Sequence, residues 1–151
     1  MKVFIGADHR GFDFKSKIVK ILEDQGHQVV DVGTDNNKES CDYPLFAYKV
    51  ATSVARSRNA KGILVCMSGI GQAIAANKIK GAYAALCYNV ESAKFSRLHN
   101  NANILVLGAK SVKQRELNSI IEIWLNTEFE GGRHKRRFEM VKRIEQGLDI
   151  K

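Results

Sequence analysis

Gly62-Ile63-Leu64-Val65-Cys66-Met67-Ser68-Gly69-Ile70-Gly71 is the stretch on which the fold turns. An unbroken apolar run of strand length is followed at once by glycines, then by helical spacing over residues 71–79. That describes a strand buried on both faces that turns over a tight loop into a helix. Comparable runs lie at residues 3–6, 28–32, 82–87 and 104–108. Between them, Phe14, Ile18, Ile21 and Leu22 repeat at helical intervals and stop at Gly26, a fitting C′ residue, while Asp42-Tyr43-Pro44 opens a second helix with proline in its first turn. Residues 91–98, 111–125 and 133–146 carry the remaining helices. Apolar strands alternating with amphipathic helices predict a doubly wound α/β fold, a five-stranded parallel sheet with helices on both faces. In such a fold, ligands bind beyond the carboxyl ends of the strands.

The composition agrees with a single folded domain over residues 1–151. The chain has 44% apolar and 26% charged residues and one proline, which excludes disordered and collagen-like classes. No apolar run approaches the ~20 residues that span a bilayer. Met1-Lys2-Val3-Phe4-Ile5-Gly6 runs directly into a strand pattern without the features of an export signal, so a cytoplasmic protein with no membrane partner is expected. Cys41, Cys66 and Cys87 are odd in number and lack C-x-x-C spacing, so reduced thiols are expected, without a disulfide framework or zinc ribbon. The net charge of +8 is concentrated over residues 133–143, where six lysines and arginines face one acid. Such a tail suits nucleic acid, a solvated helix face or a phosphate site.

The loops after the first and third strands hold the chemistry. Gly6-Ala7-Asp8-His9-Arg10-Gly11 sets a carboxylate, an imidazole and a guanidinium at the ligand edge, where Asp8 either caps the following helix or serves a ligand. In Cys66-Met67-Ser68-Gly69-Ile70-Gly71 the glycines let backbone N–H groups turn inward at the start of a helix and hold an anion. The loop is not a Walker loop, because Gln72 and Ala73 follow Gly71. It is not a dinucleotide fingerprint either, because Ile74 stands where a small residue is needed and no acid closes the next strand. What remains is a thiol and a hydroxyl beside an anion hole. Cys66 is then either a buried core thiol or, with its pKa lowered at a helix amino terminus, a base or nucleophile. Cys87 reads as core and Cys41 as incidental.

His99 and Asn100 fall after the helix of residues 91–98, whose length carries them ~12 Å from the ligand edge at 1.5 Å per residue. His99 is therefore structural or serves a neighbouring subunit. On a helical wheel of the tail, Lys135, Arg136, Glu139, Lys142, Arg143 and Gln146 form a polar face, whereas Arg133 and Arg137 lie beside Met140, Val141 and Ile144. Guanidinium groups there need an anionic partner, either a phosphate or acidic side chains at an interface.

Taken in order, Gly6-Ala-Asp8-His9-Arg-Gly11, Asp42-Tyr43-Pro44, Cys66-Met-Ser68-Gly69-Ile-Gly71, Asn77-Lys78, Arg97-Leu-His99-Asn100 and Glu130-Gly-Gly-Arg133-His134 resemble the type B ribose-5-phosphate isomerases and the related galactose-6-phosphate isomerase subunits. The resemblance implies a Rossmann-like homo-oligomer, a dimer or tetramer, with the C-terminal helix packed on a partner and active sites shared between subunits. It implies aldose–ketose isomerisation of a small-molecule sugar phosphate through a cis-enediolate, with no metal or organic cofactor. Cys66 is then the proton-moving base, Ser68 assists proton traffic on the oxygens, and His99 with Asp8 opens the sugar ring. Met67, Gly69, Gly71 and Asn100 would stabilise the enediolate, Tyr43 would contact substrate, and His9, Lys110, Arg133, His134 and Arg137 would bind phosphate. Met67 stands where the family commonly has glycine, and Lys110 where many members have arginine. The rival substrates are hexose 6-phosphates such as those of allose or galactose. A basic nucleic-acid-binding module is the rival of another class.

Overall fold

The computed structural model describes residues 1–150. The elements run β1 (Lys2–Ala7), α1 (Phe12–Asp24), β2 (Gln28–Asp31), α2 (Tyr43–Arg56), β3 (Lys61–Cys66), α3 (Ile70–Ala76), β4 (Ala84–Cys87), α4 (Val90–Leu98), β5 (Ile104–Gly108), α5 (Leu117–Asn126) and α6 (Gly132–Glu145). All strand pairs are parallel, in the order β2-β1-β3-β5-β4. The expected five-stranded parallel sheet is present. Because the chain leaves β1 toward one edge and β3 toward the other, the gap between their carboxyl ends is the topological switch point.

Strand side chains alternate between two cores. Ile63, Val65, Leu105 and Leu107 face α1, α4 and α5 and pack with Ile18, Leu22, Ile120 and Trp124. Leu64, Ile104 and Val106 face α2 and α3 and pack with Ala47, Val50, Ala51 and Ala76. Each fully buried leucine or isoleucine stabilises the fold by about 1.5–3 kcal/mol relative to exposure, so both faces of β3 and β5 anchor the sheet. Beneath the first core, Lys15 is buried and donates to Asp31 Oδ2 at 2.6 Å and to the Thr34 carbonyl at 2.7 Å. Asp31→Ala strands that ammonium in the interior. We expect a loss of about 2–3 kcal/mol in denaturant unfolding, toward the low side because Asp31 is 38% exposed. Lys15→Met, which removes the charge along with its need for a partner, should cost less.

Two elements differ from the sequence expectation. The fifth helix begins at Leu117, not near residue 111, because the Gly108 carbonyl accepts from both Ser111 and Val112 N–H and closes a turn, followed by a 3-10 segment at Gln114–Glu116. The fourth strand begins at Ala84, where the Asn77 side chain accepts from the Ala84 N–H at 2.9 Å and donates to its carbonyl at 2.8 Å. Asn77 thereby occupies part of the sheet edge that another strand would otherwise pair with.

The tail helix also buries a different stripe. His134 and Phe138 are its buried residues, with Phe138 edge-on to Tyr83 at 4.7 Å. Glu145 accepts from Gly81 N–H at 2.7 Å and from the Tyr83 hydroxyl at 3.2 Å. Burial and this carboxylate push the Tyr83 phenol up to about 12. Val141 and Ile144, the expected apolar stripe, remain 47% and 58% exposed on the same side as the exposed Arg133 and Arg137. Among the described residues, no helix is long and apolar enough to cross a membrane.

Candidate active site

At the switch point, β3 ends in Cys66 and the chain turns through Gly69, whose φ of 82° lies in the left-handed region open to glycine. A β-carbon at Gly69 would also meet Leu86 at 2.4 Å. This turn points the Gly69 N–H at the Cys66 sulfur, 3.1 Å away, and leaves Ser68 Oγ as acceptor of the Ile70 N–H at 3.4 Å. Gly71 keeps room for Tyr43 from the start of α2: a β-carbon there would lie 2.5 Å from the Tyr43 ring. The loop is fastened to the end of β5 by Ala109 N–H to the Cys66 carbonyl at 2.9 Å and Lys110 N–H to the Met67 carbonyl at 3.1 Å. Gln72, fully buried, donates to the Val65 carbonyl at 3.1 Å.

The loop after β1 faces this turn. Asp8 is buried and accepts from the Gly11 N–H at 2.9 Å through Oδ1, so it does close the turn before α1. Its Oδ2 takes no part in that bond. His9 Nδ1 accepts from the Cys41 N–H at 3.2 Å, which leaves the neutral ring's proton on Nε2. Arg10 reaches across to the Met67 sulfur at 3.3 Å. Together His9, Arg10, Met67 and Lys110, with Asp13, Asn37 and Ala109, line a cavity of about 430 Å³. Its three basic side chains against one acid suit a small anion. Cys66 is 6% exposed and lies outside this lining.

A second cluster lies at the opposite edge of the sheet, where α4 ends. His99 and Asn100 line a cavity of about 530 Å³ together with His134 and Arg137. The His99 ring stacks between Phe95, at 4.8 Å, and His134, at 4.2 Å with an interplanar angle of 8°. Glu130 Oε2 lies 3.8 Å from His99 Nε2 and 3.6 Å from His134 Nε2, and Arg133 Nε approaches His134 Nε2 at 3.4 Å. Burial, then the neighbouring His99, holds His134 below the ordinary histidine pKa against the opposing pull of Glu130.

His99, Glu130 and His134 are the three potential metal ligands that come within 4.8 Å of one another among the described residues. Their geometry does not suit an ion. Imidazoles bind metals along lone pairs in the ring plane at about 2.0–2.1 Å. Two rings stacked face to face send those lone pairs out side by side, and no single point lies on both at bonding distance.

The expected residues therefore divide in two. Asp8, His9, Tyr43, Met67, Ser68, Gly69, Gly71, Lys110 and Cys66 gather at the carboxyl edge. His99, Asn100, Arg133, His134 and Arg137 gather at the amino edge, roughly 15–20 Å away by the rise of a six-residue strand. Cys87 is core as expected, 1% exposed, with its thiol pKa pushed up by burial. Cys41 is not incidental, since its N–H fixes the His9 ring and its sulfur lies 3.7 Å from Nδ1. That contact spans 32 residues of sequence and leaves no local signal. Arg10 likewise gains meaning only when the two loops meet.

A parallel doubly wound sheet with a glycine-turned thiol loop at its switch point and basic side chains around it defines an α/β protein for small anionic ligands. The sequence profile of the ribose/galactose isomerase family matches residues 3–141. The chain belongs to that family. It is 42% identical to ribose-5-phosphate isomerase B of Escherichia coli K12, covering 96% of this chain and 97% of that one. A solved Clostridium thermocellum ribose-5-phosphate isomerase B superposes with a TM-score of 0.94 at 44% identity, over 97% of this chain and 99% of that one. The Mycoplasma genitalium ribose-5-phosphate isomerase B, solved with bound ribulose-5-phosphate, superposes with a TM-score of 0.92 at 40% identity, over 96% of each chain.

Proposed function

We propose that the whole chain acts as one isomerase domain that interconverts ribose 5-phosphate and ribulose 5-phosphate. The observation that carries the proposal is the Cys66 sulfur held under the Gly69 N–H at the switch point of the sheet. Family membership, the names of the close relatives and the ligand in the Mycoplasma genitalium structure support it.

Isomerisation begins on the open-chain aldehyde. The Cys66 thiolate takes the proton from C2, the electron pair moves into the C1–C2 bond, and negative charge gathers on O1. Amide donors placed around the developing oxyanion stabilise it, which is usually the largest single catalytic contribution. Met67 and Gly71 supply backbone N–H groups there, Asn100 adds a side-chain amide, and the Gly69 N–H, which donates to the Cys66 sulfur, steadies the thiolate. Ser68 passes a proton from O2 to O1. Return of a proton from sulfur to C1, either the one taken from C2 or one that has exchanged with solvent on the thiol, leaves the ketone at C2. One thiol spans two adjacent carbons without moving, and no group beyond the chain's own residues enters any of these steps. Phosphate held by His9, Lys110, Arg133, His134 and Arg137 fixes the sugar at a distance from the reacting carbons.

His99 and Cys66 of one chain are separated by the sheet and cannot act on one sugar. The proposal therefore includes a homo-oligomer in which the amino-edge cluster of one subunit, with Asn100 and the tail arginines, closes over the Cys66 loop of its partner. Exposed Arg133, Arg137, Val141 and Ile144 on α6 and exposed Ile70 and Ile74 on α3 suit such a contact. Purified protein incubated with ribose 5-phosphate should form ribulose 5-phosphate, and should act on it faster than on allose or galactose 6-phosphate. A higher rate on either hexose phosphate would overturn the pentose assignment. Binding to DNA should be weak at physiological salt, because no nucleic-acid role is assigned to the basic tail.

A further inference from the structure

We infer that Glu130 is a positioning residue for ring opening, holding the proton on the stacked His99–His134 pair; this rests on the isomerase reading above. The sugar phosphate is a closed furanose in solution, so the aldehyde must be released before C2 can lose its proton. In that step the C1–O4 bond breaks, O4 takes a proton, and the C1 hydroxyl gives one up. The imidazolium of His99 supplies the first proton, and the Asp8 carboxylate of the facing subunit receives the second.

The difficulty is to keep His99 charged. Its ring lies 4.2 Å from that of His134, beside which Arg133 and Arg137 add positive charge, so the neighbours on α6 do not favour a further proton. Phe95, on the other face of the His99 ring, is neutral. Glu130 is the exception. Its carboxylate is within 4 Å of Nε2 on both rings, so it favours a single proton on the pair. The residue is held in place by its backbone, whose N–H donates to the Leu98 carbonyl at 3.0 Å. Arg97 secures the approach to it by donating to the Thr127 carbonyl at 3.2 Å. His134 is thus more than a phosphate ligand: as the buried member of the stack it is the poorer holder of charge, which leaves the proton on His99.

The test isolates ring opening from isomerisation. In a Cys66→Ala background the protein should still accelerate exchange between the α and β anomers of ribose 5-phosphate, read by saturation transfer in NMR. Adding Glu130→Gln should slow that exchange about tenfold or more, as expected for a weakened general acid. Affinity for ribose 5-phosphate should hold or improve, because a negative charge beside Arg133 and Arg137 is gone. Glu130→Asp should restore part of the rate. Exchange unchanged by Glu130→Gln, or slowed with weaker sugar-phosphate binding and no recovery in Glu130→Asp, would overturn the inference. If the unmodified protein neither isomerises the sugar nor exchanges its anomers, the isomerase reading itself fails.

Discussion

Cys66→Ala should leave ribose 5-phosphate bound and almost unconverted. In the proposed mechanism the sulfur carries the C2 proton to C1, and losing a positioned base typically lowers turnover by about 10²–10⁴-fold. Binding should survive, because the basic groups assigned to phosphate sit on other elements: His9 after β1, Lys110 after β5, and the arginines on α6. The fold should survive as well. Cys66 is the last residue of its strand, and its neighbours Val65 and Leu64 keep both core faces occupied. Steady-state assay with calorimetric binding on the same sample separates the two effects. A hundredfold fall in kcat with an unchanged dissociation constant is the expected result, and a fall in affinity without loss of kcat would assign the sulfur to binding.

His99→Ala should be nearly as inactive for a different reason, and the two inactive proteins should rescue each other. If each active site takes Cys66 from one subunit and His99 from its neighbour, a mixed dimer holds one intact site and one that lacks both groups. After complete exchange of subunits in equal amounts, about a quarter of the native activity should return under two-fold symmetry. The separation of the two clusters across the sheet is what requires this outcome. Recovery should grow with incubation time and follow the rate of subunit exchange. Mixed dimers verified by mass that stay inactive would place both groups in sites confined to one chain.

Most of the framework is legible in residues 62–71 and their four counterparts, because strands buried on both faces must be apolar throughout and must be linked by helices that cover them. The strand order is not legible. Nothing in the spacing of β4 and β5 says that the chain passes over one position and returns to fill it. The Cys66 and Asp8 loops could be found as single motifs, since each joins a strand end to a helix start. Their assembly with Arg10 and Cys41 could not, because it depends on contacts across 57 and 32 residues. The helical wheel of the tail grouped Arg133 and Arg137 with Val141 and Ile144, but all four are exposed, so it misplaced the buried stripe. Apolar character marked Val141 and Ile144, whereas the chain buries His134 and Phe138 against Tyr83 and His99. An amphipathic helix shows that a face is needed, and only the assembled surface shows which residues meet the same chain.

Proton movement itself offers the most direct test of the thiolate at the centre of the mechanism. Ribose 5-phosphate held in D₂O with the native protein should gain deuterium at C2, and ribulose 5-phosphate at C1, as followed by NMR. With Cys66→Ala both labels should fail to appear while the sugar remains bound. Deuterium entering C2 at the native rate in that variant would contradict the account.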